Sequence, residues 1–228
     1  MSKMKPHERV NDILLGPLER PALQWFAAHM PAWVTPDVLT IIGTIGAFII
    51  AISYWLSRSN PAWFWVASLG LFINWFGDSL DGTLARYRNI RRPKYGFFVD
   101  HTVDAFNEMV VILGLGLTLF IRFDFAAMAL IGYLLMSVLV YVTTYVDGVF
   151  KISYGRFGPT EMRALLVILN ALMFFLGAIW FTLPVIGMIS IYDVLVGLVA
   201  TALIIVFVVS SYRKARELAL EDPPPKVP

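Results

Sequence analysis

Six stretches of this sequence are apolar for about the length of a membrane crossing: Val38–Leu56, Ala62–Gly77, Phe97–Phe120, Phe125–Val146, Ala164–Leu183 and Ile189–Ser211. A helix needs about twenty such residues to cross a hydrocarbon layer about 30 Å thick. Six runs in 228 residues leave no space for a sizeable domain outside the bilayer. Composition agrees, with 58% hydrophobic and 15% charged residues, against about half and a quarter in a soluble domain. The expected fold class is therefore all-α, a polytopic membrane protein with six transmembrane helices. The Ala62–Gly77 run falls short of a full span unless its helix continues through Asp78–Arg86, which predicts acids and an arginine on its last turns. An aromatic content of 14% excludes intrinsic disorder, and the absence of Cys excludes disulfide scaffolds, thiolate metal sites and cysteine nucleophiles.

Charge distribution sets the expected orientation. With six crossings, 16 of the 18 Lys and Arg residues fall on one side: those of the N-terminus, of the loops at Arg86–Lys94 and Lys151–Arg163, and of the C-terminus. Only Arg58 and Arg122 fall on the other. Positive charge marks the cytoplasmic side, so both termini are expected there. The membrane is that of a bacterium or archaeon or the endoplasmic reticulum, and nucleic acid is not an expected partner.

Residues 10–30 mix Leu, Trp and Phe with Glu19, Arg20, Gln24 and His29, which predicts an interfacial amphipathic helix that Pro17 and Pro21 would break or kink. Thr35-Pro36-Asp37 combines an N-cap hydroxyl, a first-turn proline and a first-turn acid. The expected organisation is a juxtamembrane N-terminus (1–33), one six-helix domain (34–212) and a tail (213–228) whose end, from Glu221, reads as disordered.

Acids are costly inside a membrane and mark function by default. Here they cluster: Gly77-Asp78-Ser79-Leu80-Asp81-Gly82-Thr83-Leu84-Ala85-Arg86 is followed after nine residues by Gly96-Phe97-Phe98-Val99-Asp100-His101-Thr102-Val103-Asp104. Spacings of three and four put each aspartate pair on one helix face, and a turn brings the pairs together. Four converging carboxylates repel unless a multivalent cation neutralises them, and oxygen-only ligands select a hard ion, Mg²⁺ or Mn²⁺, with capacity for two ions. Gly82 and Ala85 leave room for a nucleotide or diphosphate, and Arg86 offers a forked phosphate donor. On spacing alone, a solvated patch of helix-end acids balanced by the basic loop Arg86–Lys94 is an alternative.

Asp78-x-x-Asp81-Gly82-x-x-Ala85-Arg86, nine residues, Gly96-x-x-x-Asp100-x-x-x-Asp104 matches all eight fixed positions of the CDP-alcohol phosphotransferase signature, and the chain resembles that family. The resemblance implies a six-helix core, usually a homodimer among membrane lipids, in which two divalent metals hold the diphosphate of a CDP-linked donor while an alcohol or lipid acceptor displaces CMP. Asp78, Asp81 and Asp100 would ligate metal, Asp104 would be both ligand and general base, and Gly82, Ala85 and Arg86, with Asp81, would line the CDP pocket.

The acceptor is less legible. Thr35-Pro36-Asp37 with its neighbours, His101 after Asp100, and Glu161 in Gly158-Pro159-Thr160-Glu161 resemble the choline and ethanolamine phosphotransferase branch, where a His101–Glu161 pair would share the base role with Asp104. The balance leans slightly that way, with diacylglycerol as acceptor. In the other branch, which joins CDP-diacylglycerol to glycerol phosphate, inositol phosphate or serine, Lys151, Arg156 and Arg163 would bind an acceptor phosphate, and the placement of Arg163 resembles an arginine used that way. Asn74, Asn107 and Glu108 are placed to orient the aspartates, Asn170 to bond between helices, and Gly43, Gly46, Gly114 and Gly116 to let helices approach closely. A reading from another class is a divalent-cation transporter or channel lined by these acids. It would need polar residues through the full depth of the bilayer, whereas the acids lie near one face.

Overall fold

The computed structural model describes residues 8–10, 14–147, 149–151, 158–185 and 187–224, with 8–10 and 149–151 given as backbone only. Seven helices account for most of them: α1 (Gly16–His29), α2 (Pro36–Leu56), α3 (Trp63–Tyr87), α4 (Pro93–Leu115), α5 (Phe123–Asp147), α6 (Pro159–Leu176) and α7 (Ile191–Glu221). Strands β1 (Glu8–Val10) and β2 (Val149–Lys151) pair in parallel, and β3 (Trp180–Leu183) and β4 (Gly187–Ser190) form an antiparallel hairpin. Of the helices, α2, α5, α6 and α7 are long and apolar enough to cross a membrane by length and composition. Helices α3 and α4 fall short by that measure because they carry the acidic motif.

Local chemistry explains the boundaries that position this motif. Thr35 caps α2, its hydroxyl accepting from the Val38 amide at 3.3 Å, with Pro36 at the first position. Helix α3 runs without interruption through Asp78, Asp81 and Arg86, as the shortness of its apolar run required. It ends where Asn89 adopts φ 56°, a left-handed conformation that asparagine tolerates better than most residues. The chain then reverses, and Pro93 opens α4.

The α2–α3 crossing depends on missing side chains. A Cβ built on Gly46 would stand 2.6 Å from the Asn74 amide nitrogen, and one on Gly77 would strike the backbone of Gly43. Gly114 brings α4 against α2 in the same way, its added Cβ falling 2.7 Å from Ala51 Cα. Around these crossings Ala47, Ile50, Tyr54, Phe64, Val111 and Met173 are buried in one apolar core.

Helix α1 tolerates both prolines. Pro17 occupies the first turn, where its missing N–H costs nothing, and Pro21 forfeits one ladder bond. Leu23 and Ala27 bury one face of α1 with Leu39, Leu80 and Leu84, and Phe26 meets Phe76 edge-on at 5.2 Å. Leu18 and Trp25 remain exposed on the outside. Glu19 Oε1 accepts from Trp75 Nε1 at 2.9 Å and from the Thr160 hydroxyl at 3.1 Å. Arg88 clamps the link from α1 to α2, donating to the carbonyls of Met30, Pro31 and Val34 at 2.6–2.8 Å.

Two expected helix ends are corrected, those of α6 and α4. Helix α6 ends at Leu176, with Gly177 at φ 65°, so the apolar run that continues to Leu183 closes as the β3–β4 hairpin. Helix α4 stops at Leu115, and residues up to Phe120 form turns in which the Thr118 hydroxyl accepts from the amides of Phe120 and Ile121. Helix α7 runs on to Glu221, through the first part of the expected tail, and Lys214 joins Asp147 of α5 at 2.8 Å. The end of that tail, 225–228 with Lys226, lies outside the described residues.

Candidate active site

The spacing rule for the acids holds in three dimensions. Asp78 and Asp81 project from the C-terminal turns of α3, and Asp100 and Asp104 from the N-terminal half of α4, all four within one electrostatic cluster. Asp104 comes within hydrogen-bonding reach of Asp78 and is influenced by Asp100. Asp81 faces Asp78 and Asp100.

Each acid is fixed by a neighbour. Asp81 is buried, 9% exposed, its Oδ2 accepting from the Thr40 hydroxyl at 2.7 Å while Oδ1 accepts from the Gly82 amide. Asp78 receives a short ion pair from Arg163 Nη2, and Arg163 Nε donates to Asn74 Oδ1 at 2.9 Å. Asn74 in turn donates to the Gly43 carbonyl at 2.9 Å, so α2, α3 and α6 meet in one chain of bonds ending on Asp78. Asp100 Oδ2 lies 3.2 Å from His101 Nδ1, and the His101 ring stacks on Tyr141 of α5 at 5.0 Å.

The residues marked as a nucleotide pocket adjoin this cluster. The Arg86 guanidinium folds back over Gly82, where a Cβ would come within 3.3 Å of Nη1, and Nη2 donates to Thr83 Oγ1 at 2.8 Å. Ala85 lies on the same last turns of α3. Glu161 sits elsewhere. It is 4% exposed, Oε2 accepting from the Gly158 amide at 2.9 Å and Oε1 from the Leu15 amide at 2.8 Å, so it joins the start of α6 to the start of α1. Both its oxygens serve backbone donors, the arrangement of an N-terminal cap rather than of a base. Arg163 reaches the cluster; Lys151 is described by its backbone alone, and Arg156 lies outside the described residues.

Sequence reasoning passed over four contributors. Thr40 was visible only as part of the α2 start. Tyr133, Ser137 and Tyr141 stand four apart in the otherwise apolar stretch Phe125–Val142 of α5, a polar stripe that helical periodicity could have revealed. Tyr133 pairs with Glu108, and Tyr141 faces Asp100, Asp104 and Glu108.

The donor set suits a hard divalent metal. Ligand atoms of Asp100, His101 and Asp104 lie within 4.8 Å of one another. Asp78 and Asp104 stand side by side, an arrangement that carboxylates tolerate only with a shared proton or a cation between them. Arg163 offsets part of that charge through Asp78, leaving an oxygen-rich cluster of net negative charge.

Membrane-length helices joined to a carboxylate cluster on two adjoining helices define a class of integral membrane proteins built to hold divalent cations at one end of a bundle. The model of the CDP-alcohol phosphatidyltransferase family matches residues 33–206, and the chain belongs to that family. Phosphatidylinositol phosphate synthase of Cutibacterium acnes is 39% identical over 90 residues, 40% of this chain and 41% of that protein. Cholinephosphotransferase 1 of Mus musculus is 30% identical over 173 residues, 71% of this chain and 42% of that protein. The chain thus spans about half the length, or less, of these curated relatives. Phosphatidylinositol phosphate synthase of Mycobacterium tuberculosis, solved with CDP-DAG bound, shares the fold with a TM-score of 0.56 at 20% identity, covering 82% of this chain and 88% of that one. The same enzyme has been solved with manganese and citrate.

Proposed function

We propose that this protein transfers a substituted phosphoryl group from a CDP-linked donor to an alcohol hydroxyl, releasing CMP. The observation that carries this reading is the convergence of Asp78, Asp81, Asp100 and Asp104 at the α3–α4 junction beside Gly82 and Arg86. These aspartates would hold two Mg²⁺ or Mn²⁺ ions, which supply neutralisation of the diphosphate and of the departing CMP when bound. Thr40 and Arg163 orient Asp81 and Asp78. The Gly82 surface leaves backbone open to the nucleotide, and Arg86 swings from Thr83 to donate to phosphate. Asp104, half-buried among acids, accepts the proton of the attacking hydroxyl. Six spans with both termini cytoplasmic, α1 at the headgroup level with Leu18 and Trp25 outward, and a homodimeric assembly complete the proposal.

The acceptor divides along two observations. His101 beside Asp100, and relatedness to cholinephosphotransferases over 71% of the chain, favour a CDP-choline or CDP-ethanolamine donor with diacylglycerol. The placement of Glu161 as a helix cap removes one support for that reading. The presence of Arg163 in the cluster favours CDP-diacylglycerol with a phosphorylated acceptor, and we give this second reading more weight.

The test is CMP release by purified protein from CDP-diacylglycerol, CDP-choline and CDP-ethanolamine, each with polar and lipid acceptors. Turnover is expected to need Mg²⁺ or Mn²⁺ and to fall at least about 1,000-fold in Asp104→Asn with the thermal melt preserved. Metal flux into liposomes without CMP release would instead establish a transporter.

A further inference from the structure

Glu108 lies one helical turn beyond Asp104 and plays no part in the reaction outlined above. Helices α4 and α5 run antiparallel, setting the acids at 100, 104 and 108 against the hydroxyls at 141, 137 and 133. Tyr133 tethers Glu108 within hydrogen-bonding reach, yet Glu108 Oε2 is shielded from solvent and has no partner among the described residues. Arg163 acts on Glu108 electrostatically, and its own Nη1 is shielded and without a partner among the described residues, while Nε and Nη2 are occupied by Asn74 and Asp78.

An unmatched acceptor and an unmatched donor, both shielded from solvent, each carry a desolvation cost. A group that satisfies both must accept from the guanidinium and donate to the carboxylate. An ammonium only donates and a phosphate or carbonyl oxygen only accepts, whereas a hydroxyl does both. One turn, about 5.4 Å along the axis, separates Glu108 from Asp104, so a hydroxyl between Glu108 and Arg163 is not the one whose proton Asp104 takes.

We propose that a second, non-attacking hydroxyl of the acceptor binds between Glu108 Oε2 and Arg163 Nη1, making Glu108 a specificity-determining residue for polyol acceptors. Resting on the phosphotransfer reading above, this narrows the acceptor class, because diacylglycerol offers a single free hydroxyl.

The test compares, in full-length detergent-purified protein with Mn²⁺ and CDP-diacylglycerol, glycerol 3-phosphate with 3-hydroxypropyl phosphate, which keeps the phosphate and primary hydroxyl but lacks the secondary one. Inositol phosphate and its deoxy analogues form a parallel pair. The wild type is expected to show a KM at least about 10-fold lower for the complete polyol, the size of one hydrogen bond to a charged group. Glu108→Ala should abolish the difference between paired acceptors while shifting the KM for CDP-diacylglycerol less than about 2-fold. Tyr133→Phe should narrow the difference and keeps the question answerable if the alanine variant fails to fold. Equal KM values for paired acceptors in the wild type would mean that water fills the gap and would overturn the inference, as would turnover restricted to CDP-choline or CDP-ethanolamine with diacylglycerol, which leaves the reaction class standing. CMP release from no pair would overturn both.

Discussion

Thr40→Val isolates the support of a single carboxylate, the proposed metal ligand Asp81. Valine keeps the β-branched shape of threonine, so packing on α2 changes little, but the hydroxyl that donates to Asp81 Oδ2 at 2.7 Å is lost. The Pro36 carbonyl 3.1 Å away is a weaker claimant for that proton, since the helix ladder supplies it with the Thr40 amide. The interaction is therefore assigned to Asp81, and a hydrogen bond to a charged group contributes about 1.5–3 kcal/mol. Expressed wholly as weaker metal binding, that is roughly 10- to 150-fold, in line with the 10- to 100-fold typical of losing a group that orients a metal ligand. Titrating CMP release with Mn²⁺ should show the half-maximal concentration raised by this factor in Thr40→Val, with kcat at saturating Mn²⁺ affected far less. Electron paramagnetic resonance of free Mn²⁺ reads the same shift without turnover. Thr40→Ser should restore most of the affinity. An unchanged midpoint in Thr40→Val, or a serine variant as impaired as the valine, would refute the orientation argument.

Gly46→Val should drive α2 from α3, because even its Cβ would stand 2.6 Å from the Asn74 amide nitrogen; overpacking costs about 1–3 kcal/mol or more, seen as a lower thermal midpoint together with lost activity, since Asn74 holds Arg163. Asp193→Asn should lower the thermal midpoint while leaving the acceptor and donor KM values of the folded protein unchanged, because Asp193, fully buried, accepts from the Arg122 and Ser190 amides at 2.7 Å where α7 begins, on elements that contribute no proposed site residue. Arg88→Met should release the link between α1 and α2 from the Met30, Pro31 and Val34 carbonyls, increasing proteolytic nicking around residue 31 with a smaller effect on kcat.

What was legible in the sequence was what local rules encode. The Thr35-Pro36-Asp37 start, the continuation of α3 through its acids and the small-residue crossings at Gly43, Gly46 and Gly114 all follow from spacing and side-chain size, and the structure reproduces them. The Ser190-x-x-Asp193 cap was equally readable in principle, as a hydroxyl followed three residues later by an acid ahead of an apolar run. The end of α6 was not, because hydropathy alone cannot separate a helix from an apolar hairpin, and the local marks, Gly177 at the break with Pro184 and Gly187 at the hairpin turn, are single residues. At the site, positions 78, 81, 100 and 104 announced themselves by cost. The pairings of Thr40 with Asp81 and of Arg163 with Asp78 and Asn74 depend on which helices are neighbours in space, and residues 41, 85 and 89 positions apart carry no mutual signal in one sequence.

The failure of α3 and α4 to qualify as spans on composition follows from the same economy. Helix α3 keeps Trp63–Phe76 almost wholly apolar and confines its acids and arginine to the turns from Asp78 onward, and α4 mirrors it, with Asp100 and Asp104 before a run from Met109 to Leu115 free of charge. Averaged over a helix, the two halves cancel; taken separately, each matches its surroundings. The polar half is sustainable because its groups have partners on other helices: Thr40 on α2, Arg163 on α6, Tyr133 and Tyr141 on α5. Removing a partner should therefore cost more than removing the acid it serves, since the stranded carboxylate keeps its desolvation penalty. Arg163→Met should lower the thermal midpoint more than the double variant Arg163→Met with Asp78→Asn, in which the charge and its partner leave together. A double variant less stable than the single would show that these acids are accommodated by solvent at the bundle end rather than by the helices around them.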